Sequence, residues 1–442
     1  MSERREQVLK PFRENEGFLK SRVAAGIETN RKGDMKFIVT DGEGRPLPGA
    51  RLRLEQTGHD FYFGANIFML GELESGEKNA AYEEAFANLF NMATLPFYWD
   101  GLEPEQGKPR FAADSPKVYR RPAPDLCLDY CEKRGITPKA HCLVYDSFVA
   151  PWARTDVPAM KRLYEKRLRE IAERYAGRIH GWEVINETIT NFRADSTAFM
   201  YADDYVEWAF DRAAAYFPHN ELILNEYGMF EDPPTTRAPY YMLIERLLRL
   251  GKRVDAIGMQ YHSFWPREAE AAQAQRRYDP VYISKIMDLY ARFNKPLQIT
   301  EITIPAYSWG AEDEDIQAEI IKNMYSLWFA QRGMEAAIYW NLVDGYAAFA
   351  PLGDMTAGEN YYHGGLLRHD FTPKPAYHTL RKLIHETWVT KDTLTTDEGG
   401  RAVLRGFYGS YKGSLHLGDR EIPLSFRLSE EDPRNTLRIT VD

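Results

Sequence analysis

Short apolar runs alternate with long amphipathic segments along most of this chain of 442 residues, and this alternation limits the fold more than any other feature. The pattern is typical of βα units, in which buried parallel strands are covered by helices. We therefore predict an α/β protein built around a (β/α)8 TIM barrel with long loops. The predicted barrel strands are 61–68, 89–95, 139–145, 181–186, 221–225, 255–260, 297–301 and 337–341.

A doubly wound open sheet is the alternative fold. That fold binds phosphates on a glycine-rich turn after a strand, and no such turn follows any of the apolar runs. Between the runs, segments such as 124–133 and 160–175 carry apolar residues at helical spacing. A helix at 375–387 is predicted to close the barrel.

The two ends of the chain have a different pattern. Segments 36–40 and 50–56 read as strands separated by a turn-rich stretch, which predicts a β-hairpin. The last part of the chain reads as short strands with glycine turns, and we predict that it joins the hairpin in a small accessory β-sandwich. The predicted domains are 1–58 (N-terminal helix and hairpin), 59–388 (barrel) and 389–442 (C-terminal strands).

Composition narrows the classes of partner. A net charge of −9 argues against nucleic acid and anionic membranes, which both require basic patches. Three cysteines without framework spacing indicate reduced thiols. The first residues contain no apolar signal region, and no run reaches the roughly 20 apolar residues of a membrane span. We predict a cytoplasmic protein without a cofactor, and the sequence leaves its oligomeric state open.

Two glutamates stand where predicted barrel strands end. Glu187 follows the apolar run that begins at Gly181, and Glu301 follows the run that begins at Leu297. Barrel enzymes present their chemistry at these carboxyl ends. Paired carboxylates can cleave a glycosidic bond, because one donates a proton to the leaving oxygen while the other attacks the anomeric carbon. Repulsion between nearby carboxylates raises the pKa of one of them, which separates the two roles.

Other strand ends supply groups suited to a sugar. Asn186 is placed to bind a hydroxyl, His262 to hydrogen-bond one carboxylate, and Trp340 to offer a flat face to a sugar ring. Each has a simpler interpretation, since buried histidines are often structural and large aromatics usually fill cores. The further polar and aromatic groups at these ends are His141, Tyr145, Asn225, Tyr227, Gln260 and Asp344.

Six segments, in chain order, resemble glycoside hydrolase family 10, the xylanase family of retaining (β/α)8 glycosidases. They read AHCLVYD, WEVINE, IGMQYHSF, LQITEITI, YWNLVDGY and LLRHDFTPKPAY. The resemblance implies that Glu187 is the acid/base and Glu301 the nucleophile. It also implies that Asn186 binds the 2-hydroxyl of the −1 sugar, that His141 binds the same sugar, and that His262 orients Glu301.

The same resemblance gives roles to four further residues. Gln260 would contact the acid/base region, Trp340 would wall the −1 sugar, and Tyr227 would lie near the leaving group. Tyr98 stands where the family has a lysine that holds the −1 and −2 sugars, and Tyr145 where it has a tryptophan. The catalytic pair is therefore expected to be intact, with a different sugar-binding shell around it.

These departures favour a particular substrate. Leu95 and Phe148 replace an asparagine and a glutamine of the family pattern, so hydrogen-bonding groups for a second sugar are lost. We predict a retaining glycosidase for short β-linked oligosaccharides or glycosides of xylose or glucose configuration. The alternatives are an endo-β-1,4-xylanase acting on xylan, a non-catalytic carbohydrate-binding barrel, and a metal-dependent hydrolase. The last is disfavoured because the sequence contains no HExxH motif and no His-x-His pair.

Overall fold

The computed structural model describes residues 2–190 and 195–441. In chain order its strands are β1 (Lys32–Asp41), β2 (Arg51–His59), β3 (Tyr62–Asn66), β4 (Met92–Pro96), β5 (Thr137–His141), β6 (Gly181–Asn186), β7 (Glu221–Glu226), β8 (Ala256–His262), β9 (Leu297–Thr303), β10 (Met334–Tyr339), β11 (Lys391–Thr395), β12 (Arg401–Phe407), β13 (Gly409–Leu417), β14 (Arg420–Leu428) and β15 (Thr436–Val441).

Helices cover the outside of the strands. They are α1 (Glu3–Val8), α2 (Lys10–Glu14), α3 (Glu16–Asn30), α4 (Gly76–Ala87), α5 (Trp99–Leu102), α6 (Pro124–Arg134), α7 (Val157–Tyr175), α8 (Tyr205–Tyr216), α9 (Arg237–Arg249), α10 (Glu270–Arg277), α11 (Pro280–Tyr290), α12 (Ala311–Ala330) and α13 (Pro375–Lys382). The predicted closing helix corresponds to α13 and a π-helical turn, Leu383–Thr387.

Strands β3 to β10 form a closed barrel of parallel strands, which confirms the predicted TIM barrel. Every residue of β6, β8 and β9 is buried, because helices cover the outside and side chains fill the interior. Charged residues inside such strands therefore face other polar groups rather than water.

The predicted bounds of several barrel strands were wrong by two residues or more, including those of the second, which begins at Met92 instead of residue 89. The third barrel strand ends at His141 instead of residue 145, and beyond it only Val144 forms a bridge, to Ile185. Tyr145 therefore enters the site from a loop. The last barrel strand begins at Met334 instead of residue 337, because the preceding helix already ends at Ala330.

Strands outside the barrel form two facing sheets. One has the order β12-β1-β15 and the other β11-β2-β13-β14. Alternate residues of β1 and β2 are buried, and Phe37 meets Phe426 of the opposite sheet at a ring-centroid distance of 5.3 Å. The predicted accessory β-sandwich of N- and C-terminal strands is thus confirmed.

The predicted N-terminal hairpin was wrong. β1 pairs with β12 and β15, whereas β2 pairs with β11 and β13, so the two strands lie in different sheets. A local turn does form, since Leu47 N–H bonds Val39 C=O. Pro46 and Pro48 have no N–H to extend this ladder, and the chain crosses to the other sheet.

The N-terminal helices pack on the barrel. Val8, Leu9 and Phe12 belong to the apolar cluster of the barrel, not to that of the sandwich. Gly26 of α3 lies against Ala330 so closely that a Cβ there would be 2.3 Å from the Ala330 carbonyl oxygen. The predicted domain boundaries, 1–58, 59–388 and 389–442, stay predictions. No helix within residues 2–190 and 195–441 has the length and apolar character needed to span a membrane.

Candidate active site

A cavity of about 450 Å³ opens at the carboxyl ends of the barrel strands. This volume lies in the range of small-molecule sites. Ten of the residues singled out from the sequence line it, while Asn225 and Asp344 do not, and the barrel brings together positions up to 242 apart in the chain. The ten are Tyr98, His141, Tyr145, Asn186, Glu187, Tyr227, Gln260, His262, Glu301 and Trp340.

Glu301 lies on β9 at the bottom of the cavity and is 4% exposed. Asn225 Nδ2 donates to its Oε1 at 3.0 Å, and His262 Nε2 is 3.1 Å from its Oε2. Burial lowers the pKa of His262 to about 4, so the ring is neutral near pH 7. With the proton on Nε2 the ring donates to Glu301, while Nδ1 accepts from the Thr303 hydroxyl at 2.9 Å.

Glu187 follows β6 and is less buried than Glu301. Its backbone has φ 52°, a left-handed conformation that few non-glycine residues adopt. Gln260 Nε2 donates to Oε1 at 3.0 Å, and the Tyr145 hydroxyl donates to Oε2 at 2.7 Å. Two donors thus fix the carboxyl group of Glu187 while part of it stays open to the cavity.

One polar network joins the surroundings of the two glutamates. Asn225 Nδ2, which contacts Glu301, also lies 2.8 Å from Asn186 Oδ1. Gln260 Nε2, which contacts Glu187, lies 3.3 Å from the same oxygen. Asn186 is therefore held between the two carboxyl groups with its oxygen turned toward these amides.

A buried ion cluster lies beneath this network. Glu183, which is fully buried, pairs with Lys139 Nζ at 2.5 Å and with His141 Nδ1. Burial would raise the pKa of Glu183, but Lys139 and His141 lower it to about 2. Burial would lower the pKa of His141, but Glu183 raises it. Glu183 thus favours the protonated form of His141, whose Nδ1 also lies 3.9 Å from Glu301 Oε1.

The elevated pKa of this site belongs to Glu301. Burial raises it to about 8, and repulsion from Glu183 and Glu187 adds to the effect while the charge of His141 opposes it. The sequence argument expected a raised pKa on one of the two carboxyl groups without saying which. Glu301 has one because it lies deep in the cavity and faces two carboxylates.

One side of the cavity is an aromatic wall. The Tyr98 ring lies 4.4 Å from Phe148 and 5.0 Å from His141, between ring centroids. Phe68 extends the wall, and the centre of its ring lies 5.4 Å from that of Trp340. The Trp340 ring in turn lies 5.5 Å from His141. Two of the positions that differ from the family pattern, Tyr98 and Phe148, therefore belong to this packed aromatic surface, whereas Leu95 lies in the barrel core.

The sequence model of glycosyl hydrolase family 10 matches residues 56–383. The chain belongs to this family. The match begins just before β3 and ends just after α13, so it covers the whole barrel and little of the sandwich.

Individual relatives agree with this assignment. A β-1,4-xylanase of Dictyoglomus thermophilum is 24% identical over 70% of this chain and 84% of its own length. The anti-sigma-I factor RsgI6 of Acetivibrio thermocellus is 22% identical over 87% of this chain, but only 45% of the factor is covered. Xylanase 10B of Thermotoga maritima has the same fold, with a TM-score of 0.60 at 20% identity over 74% of this chain and 96% of the xylanase.

Sequence reasoning missed a residue that shapes this family 10 site. Glu226, at the end of β7, is fully buried. Its Oε2 accepts from Ile189 N–H at 2.8 Å, and its Oε1 accepts from the Thr190 hydroxyl at 2.6 Å. Glu226 therefore holds the segment directly after Glu187. The available signal was a carboxylate beside Asn225 at a strand end.

Glu183 and Lys139 were also missed as site residues. A charged residue inside an otherwise apolar barrel strand signals a buried ion pair, because an unpaired charge there is very unfavourable. His141, Glu183 and Glu301 place ligand atoms within 4.8 Å of one another. Lys139 and His141 already neutralise Glu183, so this arrangement serves charge balance better than metal binding. That the protein acts without a metal ion stays a prediction.

Proposed function

We propose that this family 10 protein is a retaining glycoside hydrolase that cleaves β-glycosidic bonds of short xylose- or glucose-configured oligosaccharides or glycosides. The observation that carries the proposal is the polar network between Glu187 and Glu301. Asn225 contacts Glu301 and Asn186, and Gln260 contacts Glu187 and Asn186. A pair of carboxyl groups across one cavity serves both retaining and inverting glycosidases, and double displacement requires them to be about 5–5.5 Å apart.

In the first step, Glu301 attacks the anomeric carbon and Glu187 protonates the departing oxygen. In the second step, Glu187 takes a proton from water, and the water oxygen displaces Glu301 from that carbon. Glu301 regains its charge at this point, and Asn225 Nδ2 and the His262 ring stabilise it. The more open position of Glu187 suits exchange of the leaving group for water.

The aromatic wall supports a short substrate. Tyr98 and Phe148 are in contact where the family pattern supplies polar groups for further sugars. Tyr98 is 5% exposed and so belongs to the wall rather than standing free in a cleft. A wall beside the −1 sugar limits how many further sugars fit on that side.

Substrate length can be tested with matched substrates. We expect hydrolysis of aryl β-xylosides or β-glucosides and of xylo-oligosaccharides to exceed depolymerisation of xylan, compared as kcat/KM per bond. Efficient cleavage of xylan within the chain would refute the short-substrate proposal. It would support endo-β-1,4-xylanase activity, which the names of several relatives favour.

The candidate from another class is a non-catalytic carbohydrate-binding barrel. One relative favours it, because that relative is named as an anti-sigma factor rather than as an enzyme. Substitutions at the two glutamates separate the classes. If the chain is an enzyme, Glu301→Ala abolishes hydrolysis. Calorimetric sugar binding without hydrolysis by the wild-type chain would favour the binding protein.

A further inference from the structure

Two neighbouring arginines, Arg120 and Arg121, line the cavity beside the aromatic wall. Within the described part of the chain, neither guanidinium group has a carboxylate oxygen within 4.0 Å. By contrast, the buried charges of Lys139 and Lys374 both have carboxylate partners, Glu183 and Asp344. Two positive charges without a carboxylate partner at the edge of a substrate cavity require an explanation.

Arg121 is held in place by stacking. Its guanidinium carbon lies 3.9 Å from the centre of the Tyr98 ring and 5.2 Å from that of Phe148. Its side chain passes over Gly101, where a Cβ would be 2.7 Å from Arg121 Cγ. Nη1 donates to the Arg120 carbonyl at 3.0 Å. A guanidinium group has five N–H donors, so Arg121 keeps donors for a ligand.

Arg120 is more deeply buried, at 3% exposed. Its Nη1 donates to Asn341 Oδ1 at 3.0 Å and to the Tyr346 carbonyl. Its Nε has no hydrogen-bond partner. Glu359, a carboxylate that also lines the cavity, accepts from Asn341 Nδ2 at 3.1 Å, so the Asn341 amide stands between Glu359 and Arg120.

Burial of unpaired cations is unfavourable, and burial with repulsion from Arg120 lowers the pKa of Arg121, although Tyr98 and Asp100 oppose this. An anion bound here would remove the penalty. Glu187, Glu301 and Glu359 also line the cavity, so a negative group of a ligand would be attracted by the arginines and repelled by these carboxylates.

We propose that Arg121, with Arg120 behind it, binds the carboxylate of a uronic acid, so that the preferred substrate is an acidic β-glycoside or oligosaccharide. This inference rests on the proposed glycosidase function and specifies its substrate. The Tyr98 ring contacts both groups, since it lies 3.9 Å from the Arg121 guanidinium carbon and 5.0 Å from the His141 ring. Arginine suits this task because its planar fork pairs with both oxygens of a carboxylate.

The test compares substrates that differ only in the carboxylate. One pair is 4-nitrophenyl β-glucuronide and β-glucoside, and the other is a glucuronosyl xylo-oligosaccharide and its carboxyl-reduced form. We expect wild-type kcat/KM to favour the acidic member of at least one pair by roughly 10- to 100-fold. In Arg121→Gln the preference should fall to about one, and Arg121→Lys should restore part of it.

The control is Arg169→Gln on the outer face of α7, where the pair Arg169–Glu173 is largely exposed. It should keep the wild-type preference. Equal kcat/KM within both pairs, or a preference that survives in Arg121→Gln, would overturn the inference. If no substrate is hydrolysed, the proposed function fails. The inference is then tested by calorimetry, which compares the affinity of the chain for the acidic oligosaccharide with that for its carboxyl-reduced form. Arg121-dependent preference for the acidic ligand supports it, and equal binding refutes it.

Discussion

The charge of Glu301 is controlled by burial and by groups from β5, which carries His141, and from β6 and the position after it, which carry Glu183 and Glu187. Burial opposes ionisation, and Glu183 and Glu187 repel the charge. His141 attracts it from 3.9 Å. A nucleophile attacks only when ionised, so kcat/KM should rise with pH across the neutral range as Glu301 loses its proton.

Removal of the His141 charge should change the pH at which kcat/KM rises. His141 favours the ionised form of Glu301, so His141→Gln should raise the pKa of Glu301 further and shift the acidic limb of kcat/KM to higher pH. The matched control is His180→Gln, since His180 is partly exposed and lies just before β6, at the opposite end of the strand from the site. An acidic limb that stays in place or moves to lower pH would contradict this account of Glu301.

At the scale of elements, the segment after β6 determines where Glu187 points. Glu187 has φ 52°, and the next residues would not hold this turn without partners. Glu226 on β7 supplies them through Ile189 N–H and the Thr190 hydroxyl. The neighbouring strand thus positions Glu187, the proposed acid/base.

Glu226→Ala should therefore lower kcat by roughly 10- to 100-fold with a smaller change in KM, because Glu187 is displaced while the sugar-binding residues remain. It should also lower the free energy of unfolding by about 1–3 kcal/mol through loss of a buried acceptor. Glu226→Gln, which keeps an acceptor oxygen, should be milder. Glu245→Ala on α9, part of an exposed ion pair, is the control. Wild-type kcat in Glu226→Ala would exclude the positioning role.

The sequence predicted those elements whose pattern is local. An apolar run that ends in Glu187 or Glu301 is visible without the fold, and so are the eight barrel strands. The pairing of β1 with β12 and β15 was not visible, because the partners lie more than 360 residues away and the local turn at 41–45 imitates a hairpin. Contacts such as that of Glu226 with Thr190 require the packed barrel.

At the scale of the whole molecule, the described residues form two large apolar clusters and two small ones within the barrel. One of the large clusters lies in and around the barrel, and the other lies between the two sheets of the sandwich. None of the residues that line the active-site cavity belongs to the sandwich strands. The sandwich therefore supports stability without contributing a side chain to the reaction.

Leu404→Ala tests this separation, because Leu404 is fully buried in the sandwich. We expect it to destabilise the sandwich by about 2–5 kcal/mol. Hydrogen exchange should accelerate in peptides from 401–441, while kcat/KM stays within about twofold of wild type. Val403→Ala, at a neighbouring position that is 54% exposed, is the control. A large loss of activity with Leu404→Ala would show that the sandwich and the site are coupled.

The central claim is that Glu301 forms a covalent bond to the sugar. The direct measurement is intact-mass analysis and peptide mapping after reaction with an activated 2-deoxy-2-fluoro form of a β-glycoside that the wild-type chain hydrolyses. One glycosyl group on the peptide that contains Glu301 is the predicted result. Attachment to another carboxylate, or no attachment although the parent glycoside is hydrolysed, would contradict the account.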